Sequence, residues 1–225
     1  MQGLENLRLR LRSACELVNR NPSEVRLLAV GKKHPALSIR QLFEQGQTEF
    51  GENQLQEARQ KQQELADLPI QWHFIGHLQS NKAQQVSEHF DWVQSVDRLK
   101  ILNLLSTHRP ASLKPLNICL QVNIDRETQK SGLMPEQVLE LAQLSDTLPG
   151  IKLRGLMAIP KASSSPTETT DSFKRVYDQY ADLCSRGFDL DTLSMGMSSD
   201  LEAAIAQGST MVRIGTDLFG PRPIL

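Results

Sequence analysis

Apolar and polar positions follow two alternating periods along this chain. Short apolar runs are each followed by a stretch whose apolar residues recur every three or four positions. The first pattern is typical of a buried strand and the second of an amphipathic helix. Eight runs have the strand pattern: RLLAV, TEF, QWHFI, DWVQSV, LNICLQVNI, IKLRGLMAI, TLSM and TMVRIG. Strands that alternate with helices predict βαβ units and a parallel sheet.

Eight such units favour closure of the sheet into a (β/α)8 barrel. The chain has 225 residues, a usual length for one barrel domain, so we predict a single α/β domain over residues 1–225. An apolar stripe at three- and four-residue steps predicts a helix over about residues 4–20, before the first strand. The alternative is an open Rossmann-like sheet, but the first strand is not followed by GxGxxG.

Two polar segments carry no predicted chemistry. KASSSPTETTDS, residues 161–172, follows the sixth strand and has the composition of an exposed loop. QEARQKQQELAD, residues 56–67, is predicted to be a solvated helix face. His73 and His77 are four apart but lie across a strand end, without the helical HExxH context, so no metal site is predicted there.

Charge and cysteine content narrow the class of protein. With 25 basic and 26 acidic residues the formal net charge is −1, which gives no reason to expect a nucleic-acid partner, so any bound anion should be small. The widely separated Cys15, Cys119 and Cys184 fit neither a disulfide framework nor a zinc-ligand spacing. No apolar run approaches the roughly 20 residues of a membrane span, and the N-terminus lacks a signal-peptide core. We therefore expect a soluble cytoplasmic protein.

Polar residues cluster where the predicted strands end, which is where barrels of this kind carry their active groups. The seventh strand runs into SMGMSSD, with Gly196, Ser198 and Ser199, and the eighth into RIGT, with Gly215 and Thr216. Glycine permits close backbone approach, and N–H and hydroxyl groups are donors suited to a phosphate. Two such turns on neighbouring strands predict a phosphate site. The alternative for the serines is a capping box, in which Ser199 and Glu202 close the start of the next helix.

Lys32 ends the first strand, and side-chain alternation indicates where it points. Leu28, Val30 and Lys32 share the face expected to line the barrel, whereas Lys33 begins the loop. Partial desolvation lowers a lysine's pKa and makes its neutral amine available to attack an aldehyde, forming a Schiff base. A solvated loop lysine is the alternative.

Arg213 lies near the end of the otherwise apolar last strand, where an arginine is costly without a partner. A structural salt bridge is one explanation. The other is a pyridine nitrogen, because an arginine or an aspartate is the usual partner of that atom in pyridoxal phosphate sites. A permanently charged arginine would leave the nitrogen unprotonated and the ring a weaker electron sink.

With these residues and the motifs GEN, WHFIGHLQSNK, KSG, GLMAIP, MGMSSDLEAAI and VRIGT in order, the chain resembles the pyridoxal phosphate homeostasis protein family over essentially its whole length. This family is also described as alanine racemase N-terminal-domain-like. The resemblance implies a modified (β/α)8 barrel of pyridoxal phosphate fold-type III, usually monomeric. It further implies binding of pyridoxal 5′-phosphate (PLP), and buffering of the cofactor or its delivery to PLP-dependent apoenzymes, without established catalysis.

The resemblance also implies roles for particular residues. It makes Lys32 the Schiff-base lysine and Arg213 the partner of the pyridine nitrogen. It places the phosphate on Ser198, Ser199, Gly215 and Thr216, and the pocket wall on Asn53, His73 and Met157. The chain departs from the commoner pattern at Gly31, where a serine or threonine usually precedes the lysine, and at Ser199, which is often aspartate.

Two enzymatic alternatives use the same lysine. An amino-acid racemase needs a second acid/base, a tyrosine in the related racemases, on the other face of the ring. Only Tyr177 and Tyr180 exist, and both lie in a helix expected outside the barrel. A Schiff-base aldolase acting on a sugar phosphate would use Lys32 and the phosphate turns but leaves Arg213 unexplained.

Overall fold

A computed structural model describes residues 2–161 and 165–220. The strands are β1 (Arg26–Val30), β2 (Glu49–Glu52), β3 (Gln71–Phe74), β4 (Trp92–Val96), β5 (Leu116–Val122), β6 (Ile151–Ala158), β7 (Thr192–Ser194) and β8 (Met211–Ile214). The helices are α1 (Gln2–Leu17), α2 (Ala36–Glu44), α3 (Leu55–Glu64), α4 (Ala83–His89), α5 (Leu99–His108), α6 (Val138–Asp146), α7 (Pro166–Ser185), α8 (Leu201–Ala206) and α9 (Thr216–Phe219).

The eight strands pair in parallel, in chain order, and β8 closes the barrel against β1. Each predicted strand is present, and the predicted (β/α)8 barrel is confirmed. Because all strands are parallel, their C-terminal ends lie at the same end of the barrel. We call this end the carboxyl rim. None of the described helices is long and apolar enough to cross a membrane.

The main apolar core lies between the barrel and its surrounding helices. Ala29 of β1 and Phe50 of β2 are fully buried there, together with Ile39 of α2. Burying a side chain such as Phe50 contributes about 1.5–3 kcal/mol. Alternation along each strand leaves the opposite set of side chains to fill the barrel interior.

Two helix boundaries differ from the sequence expectation. The first helix, expected over about residues 4–20, ends at Leu17, and the following Asn19 has a φ of 55°. The exposed loop expected over residues 161–172 is wrong from Pro166 onward, where α7 begins. Ser165 caps this helix by accepting from the N–H of Glu168 at 3.4 Å, and Pro166 holds the first helical position. Residues 162–164 of that segment lie outside the described residues.

Polar side chains meet across the barrel interior. Gln94 of β4 contacts Ser194 of β7 and Met211 of β8, strands that are not its neighbours, so these side chains point inward. On β6 the register with β5 shifts between Leu153 and Gly155, as in a β-bulge. The shift affects which β6 side chains face the barrel interior.

Candidate site at the carboxyl rim

The candidate phosphate turns and the candidate lysine share the carboxyl rim. Lys32 follows β1 after one residue, Gly31, and is half-buried. Gly215 follows β8, the neighbour of β1, and a Cβ on it would lie 3.3 Å from the carbonyl oxygen of Val30. The backbone after β8 therefore passes close to the strand that carries Lys32.

Arg213 is a deeply buried cation of this region, with 5% of its surface exposed. Its Nη1 donates to the carbonyl oxygen of Ser194 at 2.7 Å and to its hydroxyl at 2.8 Å, and Nη2 donates to the carbonyl oxygen of Ala158 at 2.8 Å. No carboxylate among the described residues pairs with it, so the salt-bridge explanation is wrong. The Nε–H donates to no acceptor in the described part of the chain.

Arg213 stays protonated despite this burial. Burial lowers the pKa of the guanidinium to about 10, and the carboxylate of Asp200 opposes that shift. Arg213 is thus still a cation at neutral pH. Because its hydrogen bonds go to neutral oxygens, the positive charge of Arg213 is not neutralised and can attract a further acceptor.

A hydrogen-bond chain runs from Arg213 into the barrel. The hydroxyl of Ser194 donates to Oε1 of Gln94 at 2.7 Å, which leaves Nε2 of Gln94 to donate to Nδ1 of His73 at 2.9 Å. Burial lowers the pKa of His73 well below its usual value, so the ring is neutral and carries its proton on Nε2. His73 also stacks on Trp92, with ring centroids 5.1 Å apart. His73 is therefore connected to Arg213 by hydrogen bonds through two residues, Gln94 and Ser194.

The other expected wall residues lie at different depths. Met157 is fully buried and packs with Trp92 and Cys119 in the barrel interior, one residue before the Ala158 carbonyl that holds Arg213. Asn53 follows β2 and is half-buried.

Four backbone donors are available in the two turns. Within the described residues, no acceptor lies in hydrogen-bond geometry with the N–H groups of Ser198, Ser199, Gly215 and Thr216. The turns are joined, because the N–H of Arg213 donates to the carbonyl oxygen of Gly196 at 3.0 Å. Unpaired N–H groups on neighbouring strand ends can bind a phosphate.

The capping box expected as the alternative does not form. The N-cap residue of α8 is Asp200, whose carboxylate accepts from the N–H of Met197 at 2.6 Å. Glu202 instead pairs with Arg10 of α1, at 2.6 and 2.7 Å. Ser199 is therefore not engaged in capping with Glu202.

Sequence reasoning missed a buried ion cluster next to Lys32. Lys61 of α3 is only 5% exposed and contacts Glu52 at 2.7 Å, so the solvated face predicted for residues 56–67 is wrong at this position. A signal was present, since Leu55, Ala58 and Leu65 are buried and Lys61 falls on the same three- and four-residue steps. A lysine at a core position of a helix indicates a buried partner.

Glu52 gives a pH-dependent prediction. It is fully buried, and burial raises its pKa to about 7 against the opposing charge of Lys61. A folded-state pKa above the unfolded value means that the associated stability is present below about pH 4 and is lost as pH rises through about 7. We expect the unfolding free energy of the wild type to fall relative to Glu52→Gln over this window, by about 1.4 kcal/mol per unit of pKa difference.

Chemical denaturation at a series of pH values measures this effect. Glu64→Gln on α3 is the control, because Glu64 is exposed and its side chain bonds only to Gln60 within the described residues. Parallel stability curves for the wild type and Glu52→Gln would contradict the prediction.

Comparisons with known proteins identify the family of this chain. The family described as "Alanine racemase, N-terminal domain" matches residues 3–223. The pyridoxal phosphate homeostasis protein of Pseudomonas aeruginosa is 52% identical over 221 residues, covering 98% of this chain and 95% of that protein. The protein of the same name from Escherichia coli K12 is 46% identical over 223 residues, covering 98% and 95%.

Solved structures give the same result. PipY of Synechococcus elongatus, solved without PLP, has a TM-score of 0.84 and 39% identity, covering 93% of this chain and 99% of that chain. PipY with PLP bound has a TM-score of 0.80 and 38% identity, covering 93% and 100%. The chain therefore belongs to the alanine racemase N-terminal domain family, as a member of its pyridoxal phosphate homeostasis protein group.

Proposed function

We propose that this protein binds PLP at the carboxyl rim, holds it covalently through Lys32, and serves PLP homeostasis without catalysing a reaction of its own. The observation that carries the proposal is Arg213, a buried cation whose Nη groups are held by Ser194 and Ala158 while its Nε–H has no acceptor among the described residues. A pyridine nitrogen is an acceptor that suits this donor.

The donor set fits the rest of the cofactor. The backbone N–H groups of Ser198, Ser199, Gly215 and Thr216 are available for a phosphate, and Lys32 follows the strand next to β8. PLP supplies an aldehyde, which condenses with a primary amine to form a carbon–nitrogen double bond with release of one water. In this proposal Asn53, His73 and Met157 belong to the surroundings of the ring, with His73 acting through Gln94 and Ser194.

Two features support binding without catalysis. Arg213 stays charged at neutral pH and would leave the pyridine nitrogen unprotonated, which weakens the ring as an electron sink. Racemisation also needs a second base, but the hydroxyl of Tyr180 donates to the carbonyl oxygen of Leu190, ahead of β7 and far along the strand from the rim. Tyr177 lies half-exposed on the same outer helix and packs on Gly208.

The relatives support the same function. The proteins that match over nearly their whole length are named for PLP homeostasis, and PipY has been solved with PLP bound. In this chain the role would be to buffer PLP or to deliver it to PLP-dependent apoenzymes. Action as a monomer, and in the cytoplasm, is part of the proposal.

The proposal is tested by covalent capture. The purified protein, mixed with PLP, should develop a visible absorption band, and reduction with borohydride should fix the label on the peptide that contains Lys32. Prolonged incubation of L-alanine with the loaded protein should leave the optical rotation of the alanine unchanged. Absence of any label on that peptide, or sustained racemisation, would overturn the proposal.

A further inference from the structure

Two side chains of α3 hold the backbone on either side of Lys32. The ammonium of Lys61 donates to the carbonyl oxygen of Gly31 at 2.8 Å, and Oε1 of Glu57 accepts from the N–H of Lys33 at 2.5 Å. These groups belong to the two peptide units that flank Lys32. Side chains of one helix therefore bind both peptide units, in addition to the turn bond from the N–H of His34 to the same Gly31 carbonyl oxygen at 3.0 Å.

The two contacts are coupled through a buried ion cluster. Lys61 also donates to Glu57 at 2.6 Å, one helical turn away, and to Glu52 at 2.7 Å. These two bonds and the one to Gly31 use all three hydrogens of the ammonium. Because Glu52 and Lys61 are buried and every hydrogen of the ammonium is engaged, loss of one member leaves the others poorly paired.

Gly31 completes the arrangement. A Cβ at this position would lie 2.7 Å from Oε1 of Glu52 and 3.1 Å from Cδ1 of Ile39. The carboxylate that binds Lys61 thus occupies the space that a side chain at residue 31 would need. Gly31 faces α2, outside the barrel, so alternation turns Lys32 towards the rim interior.

Glu57 also supports the turn after Gly31. Lys33 has a φ of 65°, in the left-handed region that lysine rarely adopts. The bond from its N–H to Glu57 stabilises that conformation. Without this hydrogen bond, the turn would hold Lys32 less firmly in one orientation.

Resting on the proposed function, we infer that Glu57 and Lys61 are positioning residues for Lys32, which hold its backbone so that its amine meets the PLP aldehyde in reactive geometry. The reaction is sensitive to such placement, because a displacement of about 1 Å can cost about 100-fold in rate. Neither residue needs to touch the cofactor for this effect.

Binding of a ligand that lacks the aldehyde distinguishes a positioning role from a merely structural one. Pyridoxine 5′-phosphate has the same ring and phosphate but cannot condense with an amine. Loss of positioning should slow covalent capture of PLP and leave the affinity for pyridoxine 5′-phosphate unchanged. General loss of structure should weaken both.

The experiment compares the full-length wild type with Glu57→Ala, Lys61→Met and the control Glu64→Gln. Glu57 has a side chain that is 25% exposed, so its truncation is the milder change and decides the test if Lys61→Met does not fold. We expect covalent capture to be slower by about tenfold or more in both variants. Glu64→Gln should match the wild type, and all folded variants should bind pyridoxine 5′-phosphate equally well.

Two results would overturn the inference: capture by Glu57→Ala at the wild-type rate, or an equal loss of PLP capture and pyridoxine 5′-phosphate affinity. Failure of the wild type to capture PLP would instead contradict the proposed function, so the two failures are distinct.

Discussion

Lys32→Ala is expected to lose all covalent attachment of PLP, whereas Lys33→Ala should retain it. The two lysines are adjacent, but Lys32 is half-buried at the carboxyl rim and Lys33 is exposed. Lys33 contributes its backbone N–H to Glu57, and alanine keeps that group. Reversible binding by Arg213 and the two turns should persist in Lys32→Ala, at lower affinity, because those donors are unchanged.

Absorption spectra and mass spectrometry after borohydride reduction measure this difference. Thermal unfolding serves as the control, and both variants should unfold close to the wild-type temperature because neither alanine removes a fully buried side chain. A full visible band in Lys32→Ala, with the label on another lysine, would move the Schiff base elsewhere. Loss of the band in both variants would show that the turn as a whole, rather than Lys32, is required.

The barrel could be predicted because its determinants are local. Each strand is an apolar run and each helix has its own periodicity, so the order of elements follows from neighbouring residues alone. The start of α7 was also locally encoded, since Ser165, Pro166 and Glu168 form a helix-start signal that the polar composition of the segment obscured.

The site was less predictable because its contacts join distant parts of the chain. The acceptors for Arg213 come from β6 and β7, and the residues that hold the backbone at Lys32 come from α3. No single-sequence pattern pairs Gly31 with Lys61. The family resemblance could suggest roles for Lys32 and Arg213, but not these supporting contacts.

The register of β6 shows a second limit. Simple alternation would put Arg154 and Met157 on opposite faces, yet Arg154 lies over the ring of Trp92 and Met157 packs against the same residue. The bulge reconciles them, because the pairing with β5 passes from Leu153 directly to Gly155 and leaves Arg154 as the extra residue. Alternation therefore fails for this strand, whose Ala158 carbonyl oxygen, three residues after Gly155, accepts from Arg213.

Gly155→Ala is accordingly expected to be the most destabilising single-methyl substitution that we propose. Gly155 has a φ of 150°, which side chains rarely adopt, and a Cβ there would lie 1.7 Å from the carbonyl oxygen of Thr192 on β7. Backbone strain and this overlap should together cost more than about 4 kcal/mol, since neither strand can move without breaking the barrel pairing. Little folded protein should be recovered, and any that is recovered should have a weakened Arg213 site.

Gly187→Ala is the matched control. Gly187 also has a positive φ, 94°, but no atom lies within 4 Å of its Cβ position, so this variant pays only the backbone strain. Its unfolding free energy should fall by about 1–2 kcal/mol. Equal losses in the two variants, measured by chemical denaturation, would mean that β7 yields to the new methyl group.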